Sequence, residues 1–172
     1  MLCTSHDFKT AMRLFPASVA VIATGVAPNR VGMTATAVCS LSAEPPQVLV
    51  CLNGQTATSY AIRENGSFSV NLLADVQAGL ARRFAGMDGA VGDAKFANDD
   101  WETGALGVPI LATALQSFAC RMVRIHKEGT HFIVVGRVER LVIGQRDQAL
   151  IYRDGAFGTF APEASSLAGP TA

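Results

Sequence analysis

Charge is scarce in this chain and evenly split. Only 16% of its 172 residues are Asp, Glu, Lys or Arg, with 14 basic against 14 acidic, and no basic run exceeds Arg82-Arg83. Nucleic-acid binders present a stripe of cations to the phosphates, so that class of partner is not expected. Long apolar runs are absent too. The longest are about five or six residues, as in Val48–Leu52, against the roughly 20 that a membrane-spanning helix needs. The first residues carry neither a cationic start nor an apolar stretch of the secretory kind, and the chain is expected to be cytoplasmic, with no membrane partner. The four cysteines, at 3, 39, 51 and 120, and the three histidines, at 6, 126 and 131, lack the spacing of a zinc knuckle or a redox pair, so no metal is expected. Cys39, Cys51 and Cys120 lie in apolar, strand-like surroundings where a thiol acts as a small hydrophobe. No GxGxxG follows a strand, which removes the Rossmann dinucleotide site. No short motif pairs a nucleophile with a base or sets two carboxylates together.

Apolar residues, in contrast, make up 49% of the chain. A monomer of this size has a large surface to cover with polar groups, so a homodimer that hides an apolar face is expected. Residues 1–162 are read as one domain and 163–172 as a frayed tail.

Ser5 and Asp7 followed by Phe8, Ala11, Met12 and Phe15 predict a capped amphipathic helix ended by Pro16. Strands are predicted over Ser18–Thr24, Val31–Ser40, Gln47–Asn53 and Ser67–Leu72, with Glu44-Pro45-Pro46 as a stiff break. Gln47–Asn53 is almost wholly apolar and is expected to be buried on both faces. Helices are predicted over Thr56–Glu64, stopped by Asn65-Gly66, and over Asp75–Ala85, acidic at its start and basic at its end. Gly86–Asn98 reads as a mobile glycine-rich stretch and Trp101–Ile110 as irregular. Ala114–His126 and Thr130–Ile143 form a hairpin, and Ala149–Tyr152 is a last strand before the turn Arg153-Asp154-Gly155. About seven turn-linked strands with three short helices favour an antiparallel closed or split β-barrel, mainly β with helices at its ends, over a doubly wound parallel sheet.

Two segments invite chemistry. In Gly32-Met33-Thr34-Ala35-Thr36-Ala37 the side chains alternate, with small residues keeping the strand thin. A flat ligand could lie against such a backbone while Thr34 and Thr36 add hydroxyls, although an ordinary threonine-rich strand has the same pattern. Asn53-Gly54-Gln55-Thr56-Ala57-Thr58-Ser59 leaves a strand and opens a helix, a geometry suited to a phosphate and equally to simple N-capping by Thr56. His131, just after a glycine turn, could touch a planar ligand or merely face solvent.

The segments GMTATAVCSLSAEPPQVLVCLN, FSVNLL with Gln77, LARRFAGMDG with Lys95-Phe96 and Trp101, Pro109-Ile110-Leu111 with ALQSFACRM, GTHFIVVGRV and ALIYRDGAF run in order over residues 8 to 160. Together they resemble the short-chain flavin reductases, whose fold is the FMN-binding split barrel. The likeness runs toward the reductase components of 4-hydroxyphenylacetate 3-monooxygenase and related two-component flavin monooxygenases. It implies a homodimer that moves a hydride from NADH or NADPH to FAD or FMN and supplies reduced flavin to an oxygenase. The alternative is a flavin-binding barrel that stores cofactor, relays electrons or reduces another acceptor. By the resemblance, Gly32 and Met33 would bind the cofactor, Thr34, Ala35 and Thr36 would face the isoalloxazine, and Ser40, Leu52 and Asn53 the ribityl chain. Thr58 and Ser59 would approach the phosphate, Phe84 the outer part of the cofactor, and His131 the nicotinamide, with Tyr152 by the same pocket. Phe157 departs from the family's frequent hydroxyl-bearing aromatic, which leaves a packing role there. No arginine cluster marks a 2′-phosphate, which favours NADH. Such chemistry needs orientation and a dry contact rather than a protein acid or base.

Overall fold

A computed structural model describes residues 2–97, 100–145 and 148–161; the expected tail, 163–172, lies outside them. The elements in order are α1 (Ser5–Met12), β1 (Ala17–Ser18), β2 (Ala20–Thr24), β3 (Val31–Ala35), β4 (Val38–Ala43), β5 (Pro46–Asn53), α2 (Ala57–Asn65), β6 (Ser67–Leu72), α3 (Ala78–Phe84), β7 (Trp101–Thr103), β8 (Pro109–Leu111), β9 (Gln116–Glu128), β10 (His131–Ile143), β11 (Ile151–Arg153) and β12 (Ala156–Gly158). Seven strands form one antiparallel sheet in the order β3-β2-β6-β9-β10-β5-β4. Its two edge strands, β3 and β4, are consecutive in the chain and separated only by Thr36 and Ala37. Residues so few steps apart cannot stand at opposite rims of a flat seven-stranded sheet, given strand spacings of about 4.8 Å. The sheet therefore curls until its edges meet at Thr36-Ala37, where the Cys51 amide donates to the Ala37 carbonyl (2.9 Å) and carries the β4–β5 ladder into the turn. This is the antiparallel split barrel that the pattern predicted.

β2 shows how one strand serves two cores. All five of its residues are buried. Ala20 and Ile22 point into the barrel with Val48, Val50, Leu52, Phe68, Val70 and Val134, and Ile62 of α2 joins them there. Val21 and Ala23 point outward into a second cluster with Leu73, Leu80, Ala81, Phe84, Phe96 and Leu150. The fully buried Asn71 carboxamide binds the elements beneath that second layer. Its oxygen accepts from the Leu111 amide and the Ser117 hydroxyl (both 2.9 Å), and its nitrogen donates to the Val21 carbonyl (3.1 Å) and the Ser69 hydroxyl (2.9 Å).

Several expectations change. Val31–Ser40 is two strands rather than one, because the chain turns the barrel seam at Thr36-Ala37. Trp101–Ile110 is not wholly irregular; β7 and β8 pair antiparallel there. Gln47–Asn53 buries one face only: Val48, Val50 and Leu52 are inside the barrel, while Leu49 and Cys51 are partly exposed outside it. Cys39 is exposed on the neighbouring strand, so it does not pack as a core hydrophobe. The first helix begins at a Thr4 cap that accepts from the Asp7 amide, and it buries none of its residues. Gly86–Asn98 is tied down where Arg30 binds Asp93 (2.7 Å) and Lys95 donates to the Phe84 carbonyl (3.2 Å), although Asn98 itself lies outside the described residues.

Candidate functional site

β3 runs along one wall of a cavity of about 370 Å³ lined by Val31, Gly32, Met33 and Thr34. Opposite stand Thr56, Ala57 and Thr58 at the start of α2, and Phe84, Ala85, Gly92 and Lys95 form a third side. Gly32 is small of necessity. A Cβ there would lie 2.7 Å from Cε1 of Phe84 and 3.1 Å from the Ile22 carbonyl oxygen, well inside ordinary contact distance of about 3.5–4.0 Å. Phe84 is held in place: it is buried, edge-on to Phe96 at 5.0 Å and tilted against Trp101 at 5.4 Å.

The hydroxyls have defined partners. Thr34 donates to the Ala81 carbonyl (2.7 Å), tying β3 to α3, so that hydroxyl is already committed to the protein. Thr56 caps α2 by accepting from the Ser59 amide (3.2 Å), and its Oγ1 also lies 3.5 Å from the Met33 sulfur. The Asn53 side-chain oxygen accepts from the Gln55 amide (2.9 Å), turning the chain from β5 toward α2. Thr58 and Ser59 are both buried, and the Ser59 hydroxyl donates to the Thr56 carbonyl (2.8 Å). Of the first-turn amides of α2, that of Ser59 is taken by Thr56, and those of Ala57 and Thr58 stand at the positive end of the helix dipole beside this cavity.

The residues singled out from the sequence thus fall into groups. Gly32, Met33, Thr34, Thr58 and Phe84 share the one cavity. His131 pairs with Asn53 across β10 and β5 at its end of the barrel; its ring is exposed, with Nδ1 2.9 Å from the Thr130 hydroxyl. Thr36 and Tyr152 line a second cleft of about 320 Å³ together with Phe8, Met12 and Phe15 beside α1. Ser40 lines an apolar groove of about 660 Å³ between β4, β5 and the β9–β10 hairpin. Leu52 is buried inside the barrel, so only its backbone could serve a ligand, and Ala35 is buried as well. Lys95 was named only within a family-like segment, yet it lines this cavity too. It reaches the cavity from a short 3₁₀ turn, Gly92–Phe96, and nothing in the local spacing marks it.

The comparisons with known proteins agree with this geometry. The family described as flavin reductase like domain matches residues 12–161. This chain belongs to the flavin reductase like family. The chain is 34% identical over 145 residues to the 4-hydroxyphenylacetate 3-monooxygenase reductase component of Salmonella typhi, covering 84% of this chain and 85% of that protein. It is 38% identical over 148 residues to the FMN reductase (NADH) RutF of Agrobacterium fabrum, covering 86% and 84%. Among solved structures, the NADH:FAD oxidoreductase SgcE6 of Streptomyces globisporus C-1027, in complex with NAD and FAD fragments, superposes with a TM-score of 0.85 at 28% identity over 96% of this chain and 99% of that one. The flavin-reductase fold and the split barrel built here from strand order are therefore one and the same.

Proposed function

We propose that this flavin reductase family member is an NAD(P)H-dependent enzyme that reduces free FMN or FAD and passes the reduced flavin to a separate oxygenase. The observation that carries the reading is the cavity beside β3, in which a side-chain-free Gly32, a thin strand and a helix start meet under Phe84. A bound flavin would accept hydride at N5 from nicotinamide C4, chemistry that is the cofactor's own. The protein's part is to bind, orient and dry. Gly32, Met33 and Thr34 would hold the ring from the strand within this cavity; Ala35, Thr36, Ser40, Leu52 and Asn53, which do not line it, would meet the ring edge and the ribityl chain from outside it. Thr58 and Ser59 would hold the phosphate end, and Phe84 would pack the outer part. His131, exposed at the end of β10, would position the nicotinamide, and Tyr152 would approach the site from the cleft beside α1 that it lines with Thr36.

Homodimerisation belongs to the same proposal. Leu41, Val123, Leu141 and Ile143 are all at least 48% exposed, and Leu141 lines the apolar groove together with Val38 and Ser40; a second copy would remove this surface from water. Cytoplasmic residence follows from the need for a nicotinamide pool; among the described residues no helix is long and apolar enough to cross a membrane.

The test is NADH and NADPH oxidation by the purified protein as FMN or FAD is varied. Rates that saturate with added flavin, and flavin that leaves the protein on gel filtration, are expected. Oxidation with no dependence on added flavin would overturn the proposal, and tight flavin retention without reaction toward either nicotinamide would favour a storage or relay protein instead.

A further inference from the structure

We propose that α1 is a hinged lid, which closes its apolar face over a nicotinamide dinucleotide lying along Thr36 and Tyr152. The inference rests on the flavin-reductase reading of the protein.

α1 is a capped helix with little to pack on. The Asp7 amide donates to the Thr4 hydroxyl oxygen and the Thr4 amide to the Asp7 carboxylate, both at 3.2 Å. Yet none of its residues is buried, and Phe8, Met12 and the following Phe15 are 59%, 44% and 64% exposed. Among the described residues, no hydrogen bond joins residues 4–12 to anything beyond Phe15. Eight residues make a marginal helix in water without tertiary contacts, so the orientation of α1 is set from its C-terminal end alone. There the Arg13 guanidinium binds the Asp154 carboxylate (3.0 Å), the Asp154 amide donates to the Arg13 carbonyl (2.7 Å), and the Arg153 guanidinium donates to the Leu14 carbonyl (3.2 Å). Tethered at one end and free at the other, the helix can swing about residues 13–15.

The space into which it swings is the cleft of about 320 Å³, with Phe8, Lys9, Met12, Arg13 and Phe15 on one side and Thr36 and Tyr152 among the residues opposite. The far wall is braced. Tyr152 pairs with Ala17 of β1, and its ring packs on Phe157 at 5.3 Å. Arg153 and Asp154, which grip the hinge, follow Tyr152 in the same hairpin, so the hinge and the fixed wall are one unit. The cleft is lined by three aromatic rings, two cations and no carboxylate. A nicotinamide dinucleotide has flat rings at its ends and a diphosphate between them, so rings meet rings and cations meet phosphates. His131 stands at the same end of the barrel: Ala37, next to Thr36, accepts from the Cys51 amide, and Cys51 pairs with Ile133, two residues from His131. That is two strand spacings, or about 10 Å, a distance one dinucleotide spans. Closure is driven only by contacts that the open state lacks. Phe8, Met12 and Phe15 supply them, with apolar surface that water covers in the open state and the ligand covers in the closed one. Asp154 acts through the hinge and is a positioning residue.

Amide hydrogen exchange of the whole protein, read by mass spectrometry with FMN and NAD⁺ as probes, follows the lid directly; NAD⁺ carries no hydride to give, so the complex does not turn over. Exchange over residues 5–15 is expected to be fast in the free protein and with FMN alone, and to slow at least about tenfold when NAD⁺ joins FMN. Phe8→Ser is expected to abolish that slowing and to raise KM for NADH about fivefold or more, with KM for FMN within about twofold. The variant should melt with wild type, since Phe8 is not buried. Asp154→Asn loosens the hinge and is expected to raise KM for NADH by a smaller factor, with part of the slowing lost. An α1 that exchanges slowly in the free protein and no more slowly with NAD⁺ would be a fixed wall, and would overturn the proposal. Protection that rises with protein concentration instead of with NAD⁺ would mean that a second copy covers α1, and overturns it too. Full protection in Phe8→Ser also counts against the lid. If wild type turns over NADH and FMN while α1 ignores NAD⁺, the lid alone is lost. A wild type that oxidises no NADH with either FMN or FAD sinks the flavin-reductase reading itself.

Discussion

Adding one methyl group at Gly32 tests whether the cavity's geometry rests on the contact between β3 and Phe84. The backbone at Gly32 lies outside the left-handed region, so Gly32→Ala introduces no dihedral strain and the effect is purely steric. The new Cβ would stand 2.7 and 3.0 Å from two carbons of the Phe84 ring and 3.1 Å from the Ile22 carbonyl oxygen. The ring cannot step aside freely, since Phe96 and Trp101 pack behind it at 5.0 and 5.4 Å. Overpacking of this sort costs about 1–3 kcal/mol, while replacing glycine within a strand returns about 0.5–1 kcal/mol. A net loss near 1 kcal/mol follows, worth about 2–4 °C in Tm for a chain of this length. The displaced ring moves into the cavity, and FMN affinity is expected to fall about five- to tenfold, the equivalent of about 1 to 1.4 kcal/mol. Thermal unfolding by circular dichroism and Trp101 quenching by FMN measure the two effects. Phe84→Leu in the same chain removes the obstacle, so the double variant should be more stable than the sum of its single costs, with a coupling of about 0.5–3 kcal/mol. A Gly32→Ala protein as stable as wild type and with unchanged FMN affinity would refute the reasoning, as would strict additivity in the double variant.

Asn71→Leu keeps the volume but strands the Leu111 amide, the Ser117 hydroxyl and the Val21 carbonyl; a loss of about 3 kcal/mol or more is expected in urea unfolding, and an unchanged midpoint would contradict the network's role. Thiol reagents should modify exposed Cys3 and Cys39 quickly and Cys51, raised by burial and then by Cys39, more slowly. Cys120, pushed up from 9.0 to about 12 by burial and then by Glu139, should react only on unfolding, so its prompt modification in native protein would be the contrary result. Between pH 9 and 12 the unfolded thiol ionises while the folded one stays neutral. Stability from this group is therefore fully present below pH 9 and falls by up to about 1.4 kcal/mol per unit as pH rises, a slope that Cys120→Val should lack. His131→Ala is expected to raise KM for the nicotinamide more than for flavin, and an unaltered nicotinamide KM would leave the histidine as a solvent-facing side chain.

Periodicity made most of the barrel legible. β2, β6 and the β9–β10 hairpin lie within a few residues of where their apolar patterns put them, because strand burial imposes period two and turn glycines mark the ends. Gln47–Asn53 misled for a physical reason: Leu49 and Cys51 are apolar yet stand on the outer face, where composition cannot tell a buried side from one left for another surface. Thr34 and Thr36 alternate correctly along an ideal strand, but the seam falls between them. Thr34 turns to the Ala81 carbonyl, and Thr36 goes to the cleft beside α1 and Tyr152.

The sequence by itself determined the family, the strand repertoire and the small residues at Gly32 and Ala35, since these are local demands of backbone and face. Tertiary structure alone decided which side chains meet. Residues 93 and 30, or 95 and 84, come together only when the sheet curls and the 92–96 turn folds back over β3. Spacing along the chain carries no record of an ion pair 63 residues long or of a lysine set against a distant helix start. Those contacts depend on closure of the barrel, a property of all seven strands together rather than of any one segment.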